Sequence, residues 1–241
     1  MRRMVSSLSV LAFVVAVPLA AADVMVEFKV DAGGNNNQPL NGLAARGTFS
    51  VNGTKFTLLL ENISTGVPNG FDVADSLLVS VGMNLPAIDF LTGDAAVIGL
   101  GSKGLGSWSS RVAGDSVAEE WLWTNEYGGD LMEVFKHVIS TSEGQGGGKT
   151  TRFDKGNGSV GGPFGGMAAK PPILPVPDNQ PAVSNSIRFD LTLTGTLTPE
   201  QLRTVAENSI VEFGSDQRYL KVPEPATLAL LLCGAAVLRR R

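Results

Sequence analysis

The chain has 241 residues, a formal net charge of −4 and a charged fraction of only 17%. Residues 23–221 carry 14 Lys and Arg against 22 Asp and Glu, and this acidic balance excludes the basic face that nucleic-acid binding requires. The single cysteine, Cys233, excludes an intrachain disulfide, so the core has to be stable without a covalent cross-link.

Residues 1–22 have the features of a secretory signal peptide. Two arginines at positions 2 and 3 precede an apolar run, and the small residues Ala20 and Ala22 fit the pattern of a cleavage site. We therefore expect export through the Sec machinery and cleavage after Ala22, which leaves Asp23 at the start of the mature chain.

Alternation of apolar and polar residues predicts several half-buried strands after this signal. The alternating segments are 24–30, 56–61, 76–81 and 187–194. The Asn52-Gly53 pair between two apolar runs predicts a tight hairpin. A second hairpin is predicted between residues 118–124 and 131–139.

One short helix is predicted near 199–208, because Thr198 is a suitable N-cap, Pro199 suits the first helical position and Gln201 completes a capping box. A last strand is predicted at 210–213. Many antiparallel strands with one helix indicate a mainly β ectodomain over residues 23–221, a single antiparallel β-sandwich of the jelly-roll or immunoglobulin-like kind. An N-terminal signal helix and a C-terminal hydrophobic helix are expected to flank it.

The alternation is lost over residues 143–184. Ten of the 23 residues from 144 to 166 are glycine, and five prolines follow between 170 and 181. This composition predicts a long loop without secondary structure, and such a loop inside a domain is either functional or disordered.

The last 20 residues, 222–241, contain three parts in a fixed order. Pro223, Glu224 and Pro225 come first, an apolar stretch of 13 residues from 226 to 238 follows, and Arg239, Arg240 and Arg241 end the chain. About 20 apolar residues span a bilayer as a helix, so this stretch is short for a permanent anchor. The arginines are expected to stay on the cytoplasmic side and to leave the domain outside.

This three-part tail closely resembles the PEP-CTERM sorting signal of exported bacterial surface proteins. The resemblance implies that an exosortase, a membrane enzyme similar to transpeptidases, cuts near Pro223, Glu224 and Pro225 after a transient stay in the inner membrane. It also implies a host that makes exopolysaccharide. The ectodomain only loosely resembles domains of other exosortase-dependent proteins, in residues 56–62, 99–108 and 185–195, and this likeness implies no activity.

Few residues point to catalysis or to metal binding. His137 is the only histidine, and no G-x-S-x-G motif accompanies it. The Gly148-Lys149-Thr150 triplet lacks the earlier glycine of a phosphate-binding loop. A carboxylate-rich hairpin could supply the two acids of a glycosidase. Its acidic residues are Glu119, Glu120, Glu126, Asp130 and Glu133. No metal site and no cofactor are predicted.

Alternate tryptophans suggest a second class of function. Trp121 and Trp123 share one face of a predicted strand, with Tyr127 close behind, and aromatic rings in such a row can form a platform for sugars or part of the core. The leading hypothesis is a non-enzymatic exported surface or matrix protein with a structural or adhesive role. The alternatives are an exopolysaccharide-binding module with Trp121, Trp123 and Tyr127 as its site and a secreted glycosidase.

Overall fold

The computed structural model describes residues 22–34, 40–68, 73–125, 135–141, 153, 165–172, 176, 179–214 and 218–224. These residues form a mainly β structure with one α-helix, α1 (Pro199–Glu207). The strands in chain order are β1 (Ala22–Phe28), β2 (Val30–Gly34), β3 (Ala45–Asn52), β4 (Lys55–Asn62), β5 (Leu78–Met83), β6 (Phe90–Ile98), β7 (Lys103–Leu105), β8 (Trp121–Thr124), β9 (His137–Thr141), β10 (Met167–Ala168), β11 (Ala182–Ser184), β12 (Ser186–Leu193), β13 (Ile210–Phe213) and β14 (Arg218–Lys221).

Five strands form an antiparallel sheet in the order β1-β3-β4-β12-β6. The predicted hairpin lies within it and is confirmed, since Asn52 pairs with Lys55 across the turn. Gly53 has a φ of +61°, a conformation that glycine adopts easily because it has no Cβ. This turn sets the register in which β3 and β4 bury the same face.

The other strands form a second sheet in the order β2-β14-β13-β5-β10-β11-β7, in which β9 also pairs with β5 and β8 pairs with β9. The antiparallel pairing of β8 with β9 confirms the second predicted hairpin, although β9 begins only at His137. Strands β10 and β11 run parallel, so the prediction of purely antiparallel sheets is wrong. Residues 169–181 join these two strands and provide the long connection that a parallel pair requires.

The first strand passes from one sheet to the other at Lys29. Before it, β1 pairs with β3, and after it β2 pairs with β14, where Val30 lies opposite Lys221. The Lys29 amide donates a hydrogen bond to the Lys221 carbonyl at 3.1 Å, which ties the crossing point to the end of β14. Val30 was predicted to share the buried face of Val26 and Phe28, but it is 37% exposed because the crossing interrupts the alternation.

One cluster of buried apolar side chains draws on both sheets and on α1. The alternation predicted in β4 and β12 is confirmed there, since every second residue of each strand is buried. The clustered residues of these strands are Phe56, Leu58, Leu60, Ile187, Phe189, Leu191 and Leu193. Each fully buried Leu or Phe side chain contributes roughly 1.5–3 kcal/mol by leaving water, and such burial is the main force that holds the sheets.

The strand β5 is buried on both faces, unlike the half-buried strand predicted at 76–81. Val81 points into the shared cluster, whereas Val79 belongs to a second cluster with Val176 and Ala182. Ser80 and Ser140, on neighbouring strands, form a buried hydroxyl–hydroxyl hydrogen bond. A strand that is covered on both faces does not need to alternate apolar and polar residues. The serines between the apolar residues therefore suggested an exposed face that β5 does not have.

The stretch predicted as a structureless loop, 143–184, contributes strands and core residues where the structure describes it. Strands β10 and β11 belong to the second sheet, and Phe153 is fully buried. Gly166 has a φ of +96°, and a Cβ there would lie 2.9 Å from the Leu78 carbonyl oxygen. Some of its glycines therefore serve close packing of backbones, a role that composition does not distinguish from flexibility.

The predicted helix is confirmed with its cap. Thr198 accepts a hydrogen bond from the Gln201 amide at 3.2 Å, and the Gln201 side chain accepts one from the Thr198 amide at 2.8 Å. Leu202 and Val205 are buried in the shared cluster, so α1 packs by its apolar face.

We expect Thr198→Ala to lower the free energy of unfolding by about 1 kcal/mol, because it removes the acceptor at the helix start. Urea denaturation of the full-length chain measures the change. Thr204→Ala is the matched control in the same helix, since Thr204 only donates back to the Glu200 carbonyl. Equal losses in the two variants would contradict a capping role for Thr198.

Candidate functional site

The predicted processing motif begins where the described chain leaves the domain. Strand β14 ends at Lys221, and Val222 is half-buried against the shared apolar cluster. Pro223 and Glu224 are exposed, and the Glu224 side chain keeps 69% of its surface accessible. Among the described residues, the last contact with the core is therefore at Val222, immediately before the exposed Pro-Glu pair.

A cleft of about 650 Å³ adjoins this exit. Its walls are residues 25–27 of β1, residues 207–210 after α1, and residues 221–224. The floor includes Val26 and Ile210, and Met25 is 65% exposed at its edge. The cleft is lined by residues of β1 and β14, which belong to different sheets.

Carboxylates predominate on the rim of the cleft. Glu27, Glu207 and Glu224 line it, with Lys221 as the basic residue among its lining. Hydrogen bonds from Lys29 and Arg46 lower the pKa of Glu27, so this carboxylate is charged at neutral pH. Lys221 lies 4.0 Å from Glu224, an exposed pair that contributes little to stability.

Several predicted site residues lie outside the described residues. These are Ala20, Tyr127, Pro225, Arg239, Arg240 and Arg241. Ala22 is described as the first residue of β1, where it pairs with Val51. The predicted mature N-terminus, Asp23, is therefore part of an edge strand, and its carboxylate accepts a hydrogen bond from Ser50 at 2.6 Å.

The tryptophans predicted as a sugar platform are buried. Trp121 is 1% exposed and Trp123 is 5% exposed, so neither presents a ring face to a ligand. The Trp121 ring packs 5.0 Å from that of Phe189, and the Trp123 ring packs 5.9 Å from that of Phe90. The core interpretation of these residues, left open by the sequence, accounts for their position, and the platform prediction is corrected.

Next to β8 lies Phe153, a buried residue that the sequence analysis did not single out. The Trp123 indole N–H donates a hydrogen bond to the Phe153 carbonyl, and the Phe153 amide donates one to the Ala118 carbonyl at 2.9 Å. A Cβ on Gly93 would lie 2.1 Å from the Phe153 carbonyl oxygen, so only glycine allows this approach. Phe153 had no sequence signal, because its neighbours are polar residues and glycines.

His137 has both ring nitrogens engaged. Its Nδ1 accepts a hydrogen bond from the Leu85 amide at 3.1 Å, and its Nε2 lies 3.1 Å from the Asp89 carboxylate. A serine nucleophile needs a free imidazole nitrogen as general base, and neither is free here. Burial lowers the pKa of His137, which keeps the ring neutral.

The two described acids of the predicted carboxylate-rich hairpin have different surroundings. Glu119 is half exposed and forms an ion pair with Arg111, whereas Glu120 is 2% exposed. The other acids of this hairpin, at 126, 130 and 133, lie outside the described residues. Residues 118–120 form a turn, so β8 begins at Trp121 and not at residue 118 as predicted.

Within the described ranges, no group of three or more His, Cys, Asp or Glu residues is placed to hold a metal ion. No helix in the part of the chain that the structure covers is long and apolar enough to cross a membrane. The chain matches no family model, no curated protein and no solved structure.

Proposed function

We propose that this chain is an exported, non-enzymatic surface or extracellular-matrix protein, processed by an exosortase at its tail, with a structural or adhesive role. The observation that carries the proposal is the placement of the motif. Pro223 and Glu224 are exposed directly after Val222, the last of the described residues that packs on the core. Cleavage in the motif would therefore leave intact the apolar core that the described residues form.

The sequences of the two chain ends support the proposed export and processing. A signal peptide over residues 1–22 would direct the chain to the Sec machinery, and the apolar tail would hold it in the inner membrane until processing. The proposed final location is the cell surface or the extracellular matrix, where exopolysaccharide is a candidate partner. We further propose that the two sheets form a β-sandwich of the jelly-roll or immunoglobulin-like kind, since one apolar cluster contains side chains of both.

The alternatives have less support. A carbohydrate-binding module would need exposed aromatic rings, whereas Trp121 and Trp123 are buried. A secreted glycosidase would need two carboxylates that converge on a sugar site. Of the two described acids of the carboxylate-rich hairpin, Glu119 pairs with Arg111 and Glu120 is buried. These observations favour a structural role for the domain over a catalytic one.

The test is the intact mass of the protein recovered from its native cell surface or medium. We expect a chain that begins near Asp23 and ends near the Pro223-Glu224-Pro225 motif, with or without an added group. A mass that retains Met1 would contradict export with signal cleavage. A mass that extends through Arg241 would contradict processing and would make the tail a lasting anchor.

Replacing Pro223, Glu224 and Pro225 together by alanine should block processing, because the motif that the enzyme is proposed to recognise is then lost. The expected product is a cell-associated chain that retains Arg241, measured by mass and by fractionation. Lys221→Ala is the matched control, since Lys221 borders the motif but belongs to β14. Normal processing of the triple variant, or a block in the control, would overturn the assignment of the motif.

A further inference from the structure

The connection between β5 and β6, residues 84–89, is attached to the β8–β9 pair by side chains. The Lys136 backbone amide donates to the side-chain Oδ1 of Asn84 at 2.9 Å, and the Lys136 ammonium pairs with Asp89. Next to these contacts, Asn125 binds both the amide and the carbonyl of Phe90, at 2.8 and 2.7 Å. Two further contacts, to Leu85 and Asp89, pass through the single ring of His137.

The geometry determines which nitrogen of His137 carries the proton. The Leu85 amide can only donate, so Nδ1 must offer a lone pair to accept its hydrogen bond at 3.1 Å. The neutral ring therefore carries its proton on Nε2, which donates to the Asp89 carboxylate at 3.1 Å. In this arrangement a second proton on Nδ1 faces the Leu85 N–H, which cannot accept it. A backbone hydrogen bond with Ile88 favours the charged ring, but its effect is smaller than that of burial.

The ring is also sealed from solvent. His137 has no exposed surface, and the Phe90 ring packs edge-on against it at 5.4 Å between centroids. Met83 lies opposite His137 in the β5–β9 register. Asp89 and Lys136 are the charged groups that act on the ring among the described residues.

We propose that His137 is an acid-sensitive lock that attaches the middle of the 84–89 connection to β9 through Leu85 and releases this contact when the ring gains a second proton. Protonation at Nδ1 abolishes the hydrogen bond to Leu85 and places a charge in an apolar site. Asn84 and Asp89 keep their contacts with Lys136, and Asp89 also keeps its contact with the charged ring, so the part of the connection that is freed lies between these two residues. This inference does not depend on the proposed route of export.

The direction of the pH effect follows from the environment of the ring. Burial lowers the pKa of His137 below its ordinary value of 6.5, and the hydrogen bond with Asp89 opposes this only in part. The closed state is therefore fully favoured above about pH 6.5 and is weakened as the pH falls from there towards the lowered pKa. Within that window opening takes up one proton, so the opening constant rises by about tenfold per pH unit.

The experiment combines two measurements on the full-length chain between pH 5 and 8. The first is NMR titration of His137, which is the sole histidine and gives unambiguous ring C–H signals. The second is hydrogen exchange of the amides in 84–89, expressed as protection factors. We expect the ring to titrate below pH 6.5 and the Leu85 protection to fall in acid, while protection in β4 stays constant.

Two variants keep the proposal open to refutation. His137→Phe retains a ring against Phe90 and cannot titrate, so the pH dependence of protection in 84–89 should disappear. Asp89→Asn replaces a carboxylate whose side chain is 41% exposed and removes the charge that favours the protonated ring, so the His137 titration should move to still lower pH. A ring that titrates at or above pH 6.5, or protection that still falls in acid in His137→Phe, overturns the lock.

Discussion

Phe153→Ala is expected to lower the free energy of unfolding by about 3–5 kcal/mol, as large aromatic truncations in a core do. Phe153 has no exposed surface, and its ring packs 5.6 Å from that of Phe189. Its amide and its carbonyl are both bonded, to the Ala118 carbonyl and the Trp123 indole. The substitution leaves a cavity beside the Phe189 ring.

Chemical denaturation of the full-length chain, followed by tryptophan fluorescence, measures this loss. Trp123 contacts Phe153 directly, so its emission should also change in the native state. Leu100→Ala is the matched control on the surface, because Leu100 is 93% exposed and should change stability by no more than about 0.5 kcal/mol. A loss in Phe153→Ala as small as that of the control would show that residue 153 is not an anchor.

Arg218→Ala is the second substitution expected to have a large effect, with a loss of about 3–5 kcal/mol. Arg218 is 1% exposed and pairs with Asp75, which lies in the 3₁₀ turn Val73–Ser76. A Cβ on Gly214 would lie 2.9 Å from the guanidinium nitrogen, so glycine makes room for the pair. Removal of the arginine takes away the guanidinium charge that faces the Asp75 carboxylate in this buried site.

The control for this prediction is Arg188→Ala, which breaks an ion pair with Asp190 whose arginine is 52% exposed. Such exposed pairs contribute about 0–1 kcal/mol, so denaturation midpoints should separate the two variants clearly. The double variant Arg218→Met, Asp75→Leu should recover a large part of the loss, since apolar replacement removes both charges. No recovery would indicate that Arg218 acts through packing of its stem instead.

The features of the fold that depend on neighbouring residues could be predicted from the sequence, and those that depend on distant residues could not. The helix cap at Thr198 and Gln201 was predicted correctly, because both partners lie within four residues of each other. The β3–β4 hairpin was predicted correctly because the Asn52-Gly53 turn and the alternating strands agree. The parallel pairing of β10 with β11 was missed, since these strands are two and three residues long and carry no periodic pattern.

The same distinction between local and distant contacts applies to the candidate functional residues. The processing motif at Pro223, Glu224 and Pro225 is predicted from adjacent residues alone. The contacts of His137 with Leu85 and Asp89 span 52 and 48 positions, and no local pattern indicates them. The burial of Trp121 and Trp123 was equally open, because an amphipathic aromatic row suits either a platform or a core.

The sequence by itself was thus sufficient to predict the alternating strands β4 and β12 and the helix α1. It also gave the acidic balance and the predicted signals at the two ends of the chain. These features depend on spacing, caps and turns, which act over a few residues. Only the tertiary structure showed how the strands pair, that β5 is buried on both faces, that Phe153 lies in the core and what surrounds His137. Those features arise from contacts between distant segments, where burial and hydrogen-bond partners depend on which strands become neighbours.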